Sequence, residues 1–186
     1  MITVALDKDA EAARPWIEAA APQHPSLIDI HHVVADLYGM VNVPTTVWID
    51  EGGKIVRPND VVFATDTYLK ITGLESAKPL AAIRAWVRDE TQPMAPAEVR
   101  RHQRLPTAAR QEARAEFGLA RWLCEQGRGA EAEPHFLRAG ELAPEDWTIR
   151  RGSLPLRGLD SMGPPFRTMR EEWARQGNAY YLPIPD

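Results

Sequence analysis

Only a few side chains in this sequence combine the residue type and the spacing that catalysis or metal binding requires. Cys124 is the one cysteine of the chain, so the chain can neither form an internal disulfide nor contain a Cys-x-x-Cys motif. Its immediate neighbours are Leu123 and Glu125, and neither would lower the pKa of the thiol as a histidine or a basic residue would. We therefore interpret Cys124 as a structural thiol in a helix rather than as a nucleophile.

Three histidines lie close together in the sequence and could suggest a metal site. His24, His31 and His32 are near Asp29 and Asp36, and metal binding would need these side chains to converge. Neighbouring residues of a helix point about 100° apart, so His31 and His32 would make a poor chelate. We expect a polar helix start here, with no metal and no cofactor.

Two short charged segments could also be taken for sites. Asp50 and Glu51 form an acidic pair, but the glycines that follow them indicate a hairpin turn. Residues 100–104 form a basic run that could contact phosphate. The formal net charge of the whole chain is −4, however, which gives no basic field for nucleic acid. We expect a solvated helix end at this run and no nucleic-acid partner.

The composition is typical of a globular protein. Hydrophobic residues make up 44% of the 186 residues, and no apolar run approaches the roughly 18 residues that a membrane span needs. The chain starts directly with a strand-like segment, without the basic stretch and cleavage site of a secretory signal. As given, the sequence predicts a cytoplasmic protein with no membrane span. If its N-terminus is truncated, the localisation stays unknown.

Periodicity and turn residues predict the elements that would position these side chains. Strands are expected where β-branched and apolar residues cluster between turn residues, at residues 2–6, 26–29, 45–49 and 54–57. Helices are expected where apolar residues recur at helical spacing: up to residue 20 after a cap at Asp7 or Asp9, then at 31–38, 79–90, 106–126, 130–142 and 166–176. Residues 59–77 and 151–165 are expected to be loops, and residues 180–186 an extended tail.

The stretch from Tyr38 to Asn59 organises the first half of the chain. It gives a helix end at Gly39, a Val43-Pro44 turn, a strand, an Asp-Glu-Gly-Gly hairpin and a second strand. Together with the segments before and after it, this stretch resembles a thioredoxin-fold domain of the TlpA-like and ResA-like thiol–disulfide oxidoreductases. The resemblance covers residues 2 to about 90 and rests on several motifs in a fixed order, namely a strand ending in Asp7, Pro25-Ser-Leu-Ile-Asp29, Tyr38-Gly39, Val43-Pro-Thr-Thr46, Ile49-Asp50 and Gly53-Lys-Ile-Val56.

The resemblance implies an α/β fold: an incomplete thioredoxin-like mixed sheet flanked by helices, followed by an α-helical C-terminal region. In that family the proline matching Pro44 is a cis-proline beside a redox-active dithiol, and the backbone next to it pairs with the bound substrate chain. The resemblance thus implies that four residues lie beside a substrate or partner, namely Tyr38, Val43, Pro44 and Thr45. The dithiol itself, in a Trp-x-x-x-Cys-x-x-Cys segment, would precede Ile2 and is not in this sequence.

The missing segment would also carry the strand that lies between residues 2–6 and residues 45–49 in the implied sheet. Its absence would leave two strand edges with unpaired backbone groups. Three arrangements stay open: the two strands pair with each other, another chain supplies the strand, or the sequence is part of a longer reading frame, for example one with a selenocysteine codon read as stop. We expect the strands at 2–6 and 45–49 to share one sheet.

After the proline-bearing connection at residues 91–96, the sequence predicts helices only. Residues 113–146 resemble one tetratricopeptide repeat, a pair of helices with small residues where the helices touch. The residues expected at the contact are Phe117, Leu119, Ala120 and Leu123 on one helix and Ala132, Phe136 and Ala139 on the other. The predicted domains are a partial thioredoxin-like domain at 1–91 and a TPR-like helical region with an extended tail at 97–186.

Two functions stay open at this point. The first is that of a TlpA/ResA-type redox-family protein linked to thiol–disulfide exchange with a protein thiol or disulfide partner, in which this chain lacks the catalytic dithiol. The second is that of a non-catalytic interaction module, built on a degenerate thioredoxin fold and a TPR-like helix hairpin. A further chain that completes the sheet is an alternative partner. Whether the protein is an enzyme is left open.

Overall fold

The chain divides into two compact units, each made of two stretches of sequence. In the computed structural model, residues 1–89, 94–103 and 105–184 are described. The helical unit comprises residues 1–41 and 106–176, and the hairpin unit comprises residues 42–105 and 177–186. The predicted domains, 1–91 and 97–186, place the division elsewhere, and residues 90–93 next to that predicted boundary lie outside the described residues.

The elements are short in the first half of the chain and longer in the second. In chain order the strands of the described residues are β1 (Thr3–Ala5), β2 (Ser26–Ile28), β3 (Thr46–Ile49) and β4 (Ile55–Asp60). The α-helices are α1 (Ala10–Ala20), α2 (Val33–Leu37), α3 (Leu69–Thr72), α4 (Ala77–Asp89), α5 (Pro96–His102), α6 (Ala108–Glu125), α7 (Gly129–Leu142), α8 (Trp147–Arg150), α9 (Ser153–Leu156) and α10 (Pro164–Arg175).

In the helical unit, β1 and β2 form a parallel pair that α1 connects. Val4 lies opposite Leu27, and a parallel pair needs such a crossover because its strands run in the same direction. The Asp9 carboxylate accepts a hydrogen bond from the Ala12 N–H at 2.8 Å, so Asp9 is the N-cap of α1, one of the two caps that the sequence predicts. Pro15 lies inside α1.

The core of the helical unit is the interface between α6 and α7. Fully buried alanines from both helices allow the backbones to approach closely, at Ala113, Ala120, Ala132 and Ala139. Phe117 and Phe136 meet there edge to face, with ring centres 5.8 Å apart. Gly127, with a φ of 73°, ends α6, and the Arg128 N–H donates to the Leu123 carbonyl at 2.8 Å. This is the helix C-terminus that a left-handed glycine provides.

The expected contact face of α6 is confirmed except at Leu119. Phe117, Ala120 and Leu123 are buried, whereas Leu119 is 42% exposed. Because Leu119 precedes Ala120 by one residue, its side chain is turned about 100° away from the buried stripe. The prediction for Leu119 was therefore wrong.

Charged side chains are buried where α2, α6 and α8 meet. Asp146 is completely buried and caps α8 by accepting hydrogen bonds from the N–H groups of Thr148 and Ile149. Arg114 donates through Nη2 to Asp146 at 2.8 Å and to the Met40 carbonyl at 3.1 Å. Removing one member of such a network leaves the opposite charges buried and unpaired, so the network fixes the packing of these helices.

His32 lies beside this network in an unusual backbone conformation. It has a φ of 59°, it is 6% exposed, and its ring centre is 5.1 Å from that of Phe117. A Cβ on Gly152 would lie 2.0 Å from the Thr148 carbonyl oxygen and 3.2 Å from Cε1 of His32. Only glycine therefore fits at position 152.

In the hairpin unit, β3 and β4 form an antiparallel pair closed by the turn at residues 50–53. Asp50 Oδ1 accepts a hydrogen bond from the Lys54 N–H at 2.8 Å, and Gly53 has a φ of 77°, as the predicted hairpin requires. Trp48 on β3 is 4% exposed and stacks on Trp86 of α4 with ring centres 5.1 Å apart. The stacking buries Trp48 against the half-buried Trp86.

The expected common sheet for residues 2–6 and 45–49 is not formed. β1 pairs with β2 and β3 pairs with β4, in two separate two-stranded sheets. No strand of the described residues bridges the two pairs, so the prediction of one sheet was wrong. The mixed α/β class and the helical character of the region after residue 96 are confirmed.

Several short elements differ from the prediction. The segment 59–77 contains the end of β4, a 3-10 turn at Asp66–Tyr68 and α3, and the segment 151–165 contains α9. Pro58, where the second strand was expected to end, lies inside β4. A strand that pairs on one side only can accept a proline, since its outer N–H groups have no partner in the sheet.

Candidate functional site

The predicted binding residues Val43, Pro44 and Thr45 lie together where the chain enters β3. We define the corner as residues 42–45. The Val43–Pro44 peptide bond is cis, the geometry that the resemblance implies, and the Val43 side chain is 39% exposed. Tyr38, the fourth predicted residue, follows α2 as its C-cap, so it belongs to the helical unit and not to the unit that contains the corner.

Asn42 holds the corner in shape. Its side chain is buried, and its Oδ1 accepts a hydrogen bond from the Val43 N–H at 2.9 Å. The Thr45 hydroxyl donates to the Asn42 carbonyl at 2.5 Å. Local bonds of this kind from asparagine and threonine stabilise turns, and they leave the amide Nδ2 of Asn42 available for a more distant acceptor.

That acceptor comes from an extended segment far along the chain. We call residues 177–184 the strap; it follows α10 and contains neither helix nor strand. Asn42 Nδ2 donates to the Tyr180 carbonyl at 2.8 Å, and the Tyr181 hydroxyl donates to the Val43 carbonyl at 3.2 Å. The corner therefore contacts both a main-chain group and a side chain of the strap.

A second anchor holds the other end of the strap. The Ile184 N–H donates to Asp60 Oδ1 at 2.9 Å. The Ile184 side chain, 9% exposed, packs in an apolar cluster with Met94 and Val99, and Ile55 packs against this cluster. The strap is thus bound at two places, one at the corner and one at the end of β4.

Asp60 is held in place by its own partners. It is 4% exposed, its Oδ1 also accepts from the Val61 N–H at 2.8 Å, and its Oδ2 accepts from Arg57 Nε at 2.8 Å. The Arg57 guanidinium in turn lies 5.5 Å from the centre of the Trp48 ring. Because its charge is paired, Asp60 can offer an oxygen to a main-chain N–H without leaving a buried charge uncompensated.

Aromatic side chains complete the contact between the two anchors. The Tyr181 ring meets Phe63 edge to face, with centres 5.4 Å apart, and Phe63 also lies 5.9 Å from Tyr68. Edge-to-face contacts favour aromatic rings over aliphatic groups. The surface beside the corner therefore suits an aromatic residue in the bound segment.

This arrangement can recognise an extended polypeptide. The polar groups that bind the strap include an amide, a main-chain carbonyl and a paired carboxylate. Hydrogen bonds to main-chain groups combined with pockets for particular side chains are the usual way in which proteins bind extended segments.

The sequence interpretation predicted an extended tail at residues 180–186 but missed its contacts, and it missed Asn42 and Asp60. Asn42 precedes a Val-Pro pair and Asp60 follows a strand, which are both common positions for polar turn residues. The strap carries two adjacent tyrosines and a proline, which indicates an extended segment whose aromatic side chains can pack against a surface. Nothing in the local sequence shows that these three parts of the chain would meet.

Cys124 is not placed as a nucleophile. It lies on α6 and packs against the α6–α7 core. Burial raises the pKa of its thiol above the ordinary value, and the nearby carboxylates of Glu125 and Glu133 raise it further. A raised pKa reduces the thiolate fraction and therefore the reactivity, which agrees with the interpretation of Cys124 as a structural thiol.

The histidines do not form a metal site in the described part of the chain, where no three His, Cys, Asp or Glu side chains lie close enough to hold an ion. Burial lowers the pKa of His32 to about 4, with the positive charges of Arg114 and Arg121 as further causes. The basic run ends α5, where Arg100 and Arg101 are exposed; Arg104 lies outside the described residues.

No helix among the described residues is both long enough and apolar enough to span a membrane. Comparisons with protein-family models, with curated proteins and with solved structures found no significant match to this chain.

Proposed function

We propose that this protein is a non-catalytic interaction module that binds an extended segment of a protein partner at the corner. The observation that carries the proposal is the strap, an extended segment that already lies there. Asn42 and Asp60 hold it through a main-chain carbonyl and a main-chain N–H. Because most residues carry both groups, a segment from another protein could form the same two bonds.

The chemistry of the chain favours binding over thiol exchange. Exchange needs a thiolate that attacks a disulfide, and the one thiol, Cys124, has a raised pKa and packs in a helix core. The corner itself contains amide, carbonyl and hydroxyl groups, which serve recognition. This supports the interaction module over an oxidoreductase that acts through this chain alone.

A relation to the thioredoxin-like TlpA/ResA-type proteins is a further part of the proposal. It is supported by the order of the elements: a parallel strand pair joined by a helix, then a hairpin that follows the corner, then the helix α4. The two separate sheets count against it, because the relation implies one sheet that contains both strand pairs. This order favours a second candidate function, thiol–disulfide exchange by a larger assembly to which this chain contributes the segment that holds the substrate.

Peptide selection tests the proposed binding function. A random-peptide display library is panned against the purified chain, and each selected peptide is mapped by NMR. We expect the peptides to shift the amide resonances of Val43 and Thr45. Asn42→Asp keeps the Oδ1 acceptor for the Val43 N–H but loses the Nδ2 donor, which the Tyr180 carbonyl of the strap also uses. The substitution is therefore made in a chain whose strap is released by Tyr181→Ala and Ile184→Asp, where it should weaken peptide binding about tenfold, as the loss of one good hydrogen bond would.

Asn178→Asp is the matched control, since it makes the same change at an exposed position, and it should leave peptide affinity unchanged. Peptides that shift resonances away from the corner, or that bind the strap-released chain equally tightly with and without Asn42→Asp, would contradict the proposal.

A further inference from the structure

The strap touches the hairpin unit at Tyr180, Tyr181 and Ile184 and is exposed at the two residues between Tyr181 and Ile184. Tyr181 contacts Val43 and Phe63, and Ile184 contacts Asp60 and the apolar cluster. Leu182, between them, is 47% exposed. Tyr181 and Ile184 are therefore three positions apart, and Leu182 and Pro183 between them are exposed spacers.

The contacts divide into general and selective ones. The hydrogen bonds from Asn42 and to Asp60 use the main chain of the strap, so they recognise an extended backbone and not a sequence. Selectivity comes from Phe63, which presents an aromatic surface to Tyr181, and from the cluster around Ile184, which accepts an aliphatic side chain. A segment with an aromatic residue and, three positions later, an aliphatic residue fits this surface.

The strap lies on the hairpin unit without being part of its sheet. β3 and β4 pair only with each other in the described residues, so the strap can leave without breaking a strand ladder. It is also tethered to α10 through Gly177, whose φ is 81°. A tethered ligand has a high effective concentration at its site, and it therefore competes strongly with a free segment.

We propose that the strap is a displaceable internal ligand of the corner, and that the partner supplies an extended segment of the same chemistry, with an aromatic residue followed three positions later by an aliphatic one. This inference rests on the proposed function, because it assigns a partner chemistry and a competitor to the same corner. The partner binds by replacing the strap, so release of the strap raises its apparent affinity.

Binding of the strap sequence in trans tests the inference. The probe is a fluorescein-labelled synthetic peptide with the sequence of residues 177–184, and its binding to the full chain is followed by fluorescence anisotropy. Tyr181→Ala combined with Ile184→Asp removes both side-chain anchors. We expect this double variant to bind the peptide at least tenfold more tightly than the unaltered chain, whose own strap fills the site.

Two controls make the result specific. Leu182→Asp changes an exposed spacer and should bind the peptide no better than the unaltered chain. A peptide that carries alanine at the Tyr181 position and aspartate at the Ile184 position should fail to bind the double variant, whereas a peptide with aspartate at the Leu182 position should still bind.

The outcomes separate the inference from the proposed function. Equal peptide affinity for the double variant and the unaltered chain would overturn the competitor role of the strap and leave corner binding intact. A double variant that binds display-selected peptides at the corner but not the strap peptide would overturn the partner chemistry alone. A double variant that keeps the circular dichroism spectrum of the fold and binds neither kind of peptide would overturn both.

Tyr181→Phe is a milder variant that keeps the inference testable if the double variant does not fold. It removes only the hydroxyl that donates to the Val43 carbonyl and keeps the ring beside Phe63. We expect a two- to fivefold gain in affinity for the strap peptide and faster hydrogen exchange in the strap. No change in either measurement would count against the strap as a ligand of the corner.

Discussion

The helical unit and the hairpin unit are stabilised in different ways. The helical unit has a helix interface lined by fully buried alanines and a buried network centred on Asp146. The hairpin unit has two strands, a tryptophan pair and a small cluster that depends on Ile184 of the strap. In the helical unit the core is separate from the proposed binding site, whereas in the hairpin unit the segment that completes the core also covers the corner. Stability and binding are therefore coupled in only one of the two units.

The largest effect is expected at the buried network of the helical unit. Asp146→Ala takes the buried carboxylate from both Arg110 and Arg114, leaves Arg114 with the half-exposed Asp36 as its carboxylate, and removes the cap of α8. We expect the free energy of unfolding to fall by about 3–5 kcal/mol, measured by urea denaturation with hydrogen exchange to assign the change to the helical unit. Glu112→Ala, which breaks an exposed pair with Arg138, is the control and should cost at most about 1 kcal/mol. Similar losses of unfolding free energy in both variants would contradict the claim that the buried network stabilises the helical unit more than an exposed ion pair does.

The second prediction is that acid destabilises the helical unit through protonation of His32. The folded-state pKa of His32 is about 4, below its ordinary value of 6.5, so the unfolded chain binds a proton more readily between these two values. The stability from neutral His32 is full above pH 6.5 and is lost as the pH falls towards 4, by about 3 kcal/mol in total. We therefore expect the urea midpoint of the helical unit to drop steeply as the pH falls from 6.5 to 4.

His32→Asn tests this prediction, because asparagine tolerates the positive φ at position 32 and does not titrate. The variant should have a flatter stability profile between pH 6.5 and 4. His31→Asn, at the exposed neighbouring position, should keep the original profile. If the His32 variant kept the steep profile instead, the acid sensitivity would belong to another group.

A smaller effect is expected in the hairpin unit. Ile184→Ala removes most of a buried aliphatic side chain from the cluster with Met94 and Val99, and it should lower the free energy of unfolding of this unit by about 2 kcal/mol. The same variant should open the corner to the strap peptide. Leu182→Ala should do neither. A loss of stability without a gain in peptide binding would break the coupling between the two properties.

The last prediction is an absence of activity. With dithiothreitol as reductant, the purified chain should reduce insulin no faster than the reagent alone, because Cys124 is the sole thiol and its pKa is raised. Turbidity of the precipitating insulin chains is the measurement. Cys124→Ser should behave identically, and a clear acceleration by the unaltered chain would restore the redox interpretation.

Local patterns in the sequence predicted much of the fold. The cap of α1 at Asp9, one of two predicted, the hairpin after Ile49 and the helical spacing of Phe117, Ala120 and Leu123 each follow from interactions within a few residues, and each is confirmed. Two predictions that relied on proline or glycine were wrong, because contacts outside the local sequence decide the structure there. Pro58 lies inside a strand, and the segment 151–165, rich in glycine and proline, still contains the short helix α9.

The candidate site was predictable only in part. Val43, Pro44 and Thr45 were identified through the resemblance, and they do lie at one corner. Asn42, Asp60 and Ile184 were not identified, because their roles depend on contacts between residues more than a hundred positions apart, such as the bond from Asn42 to Tyr180. The expected shared sheet failed for a related reason, since strand partners are set by long-range pairing that local propensity does not specify.

The bonds between the corner and the strap span 138 residues of sequence. A ribosome makes chains from the N-terminus at roughly 5–20 residues per second, so residues 42–105 emerge several seconds before the strap does. For that interval the nascent hairpin unit lacks Ile184 of its apolar cluster as well as the segment that covers the corner. Synthesis of the last residues therefore completes the core of this unit and closes its proposed binding site in the same step.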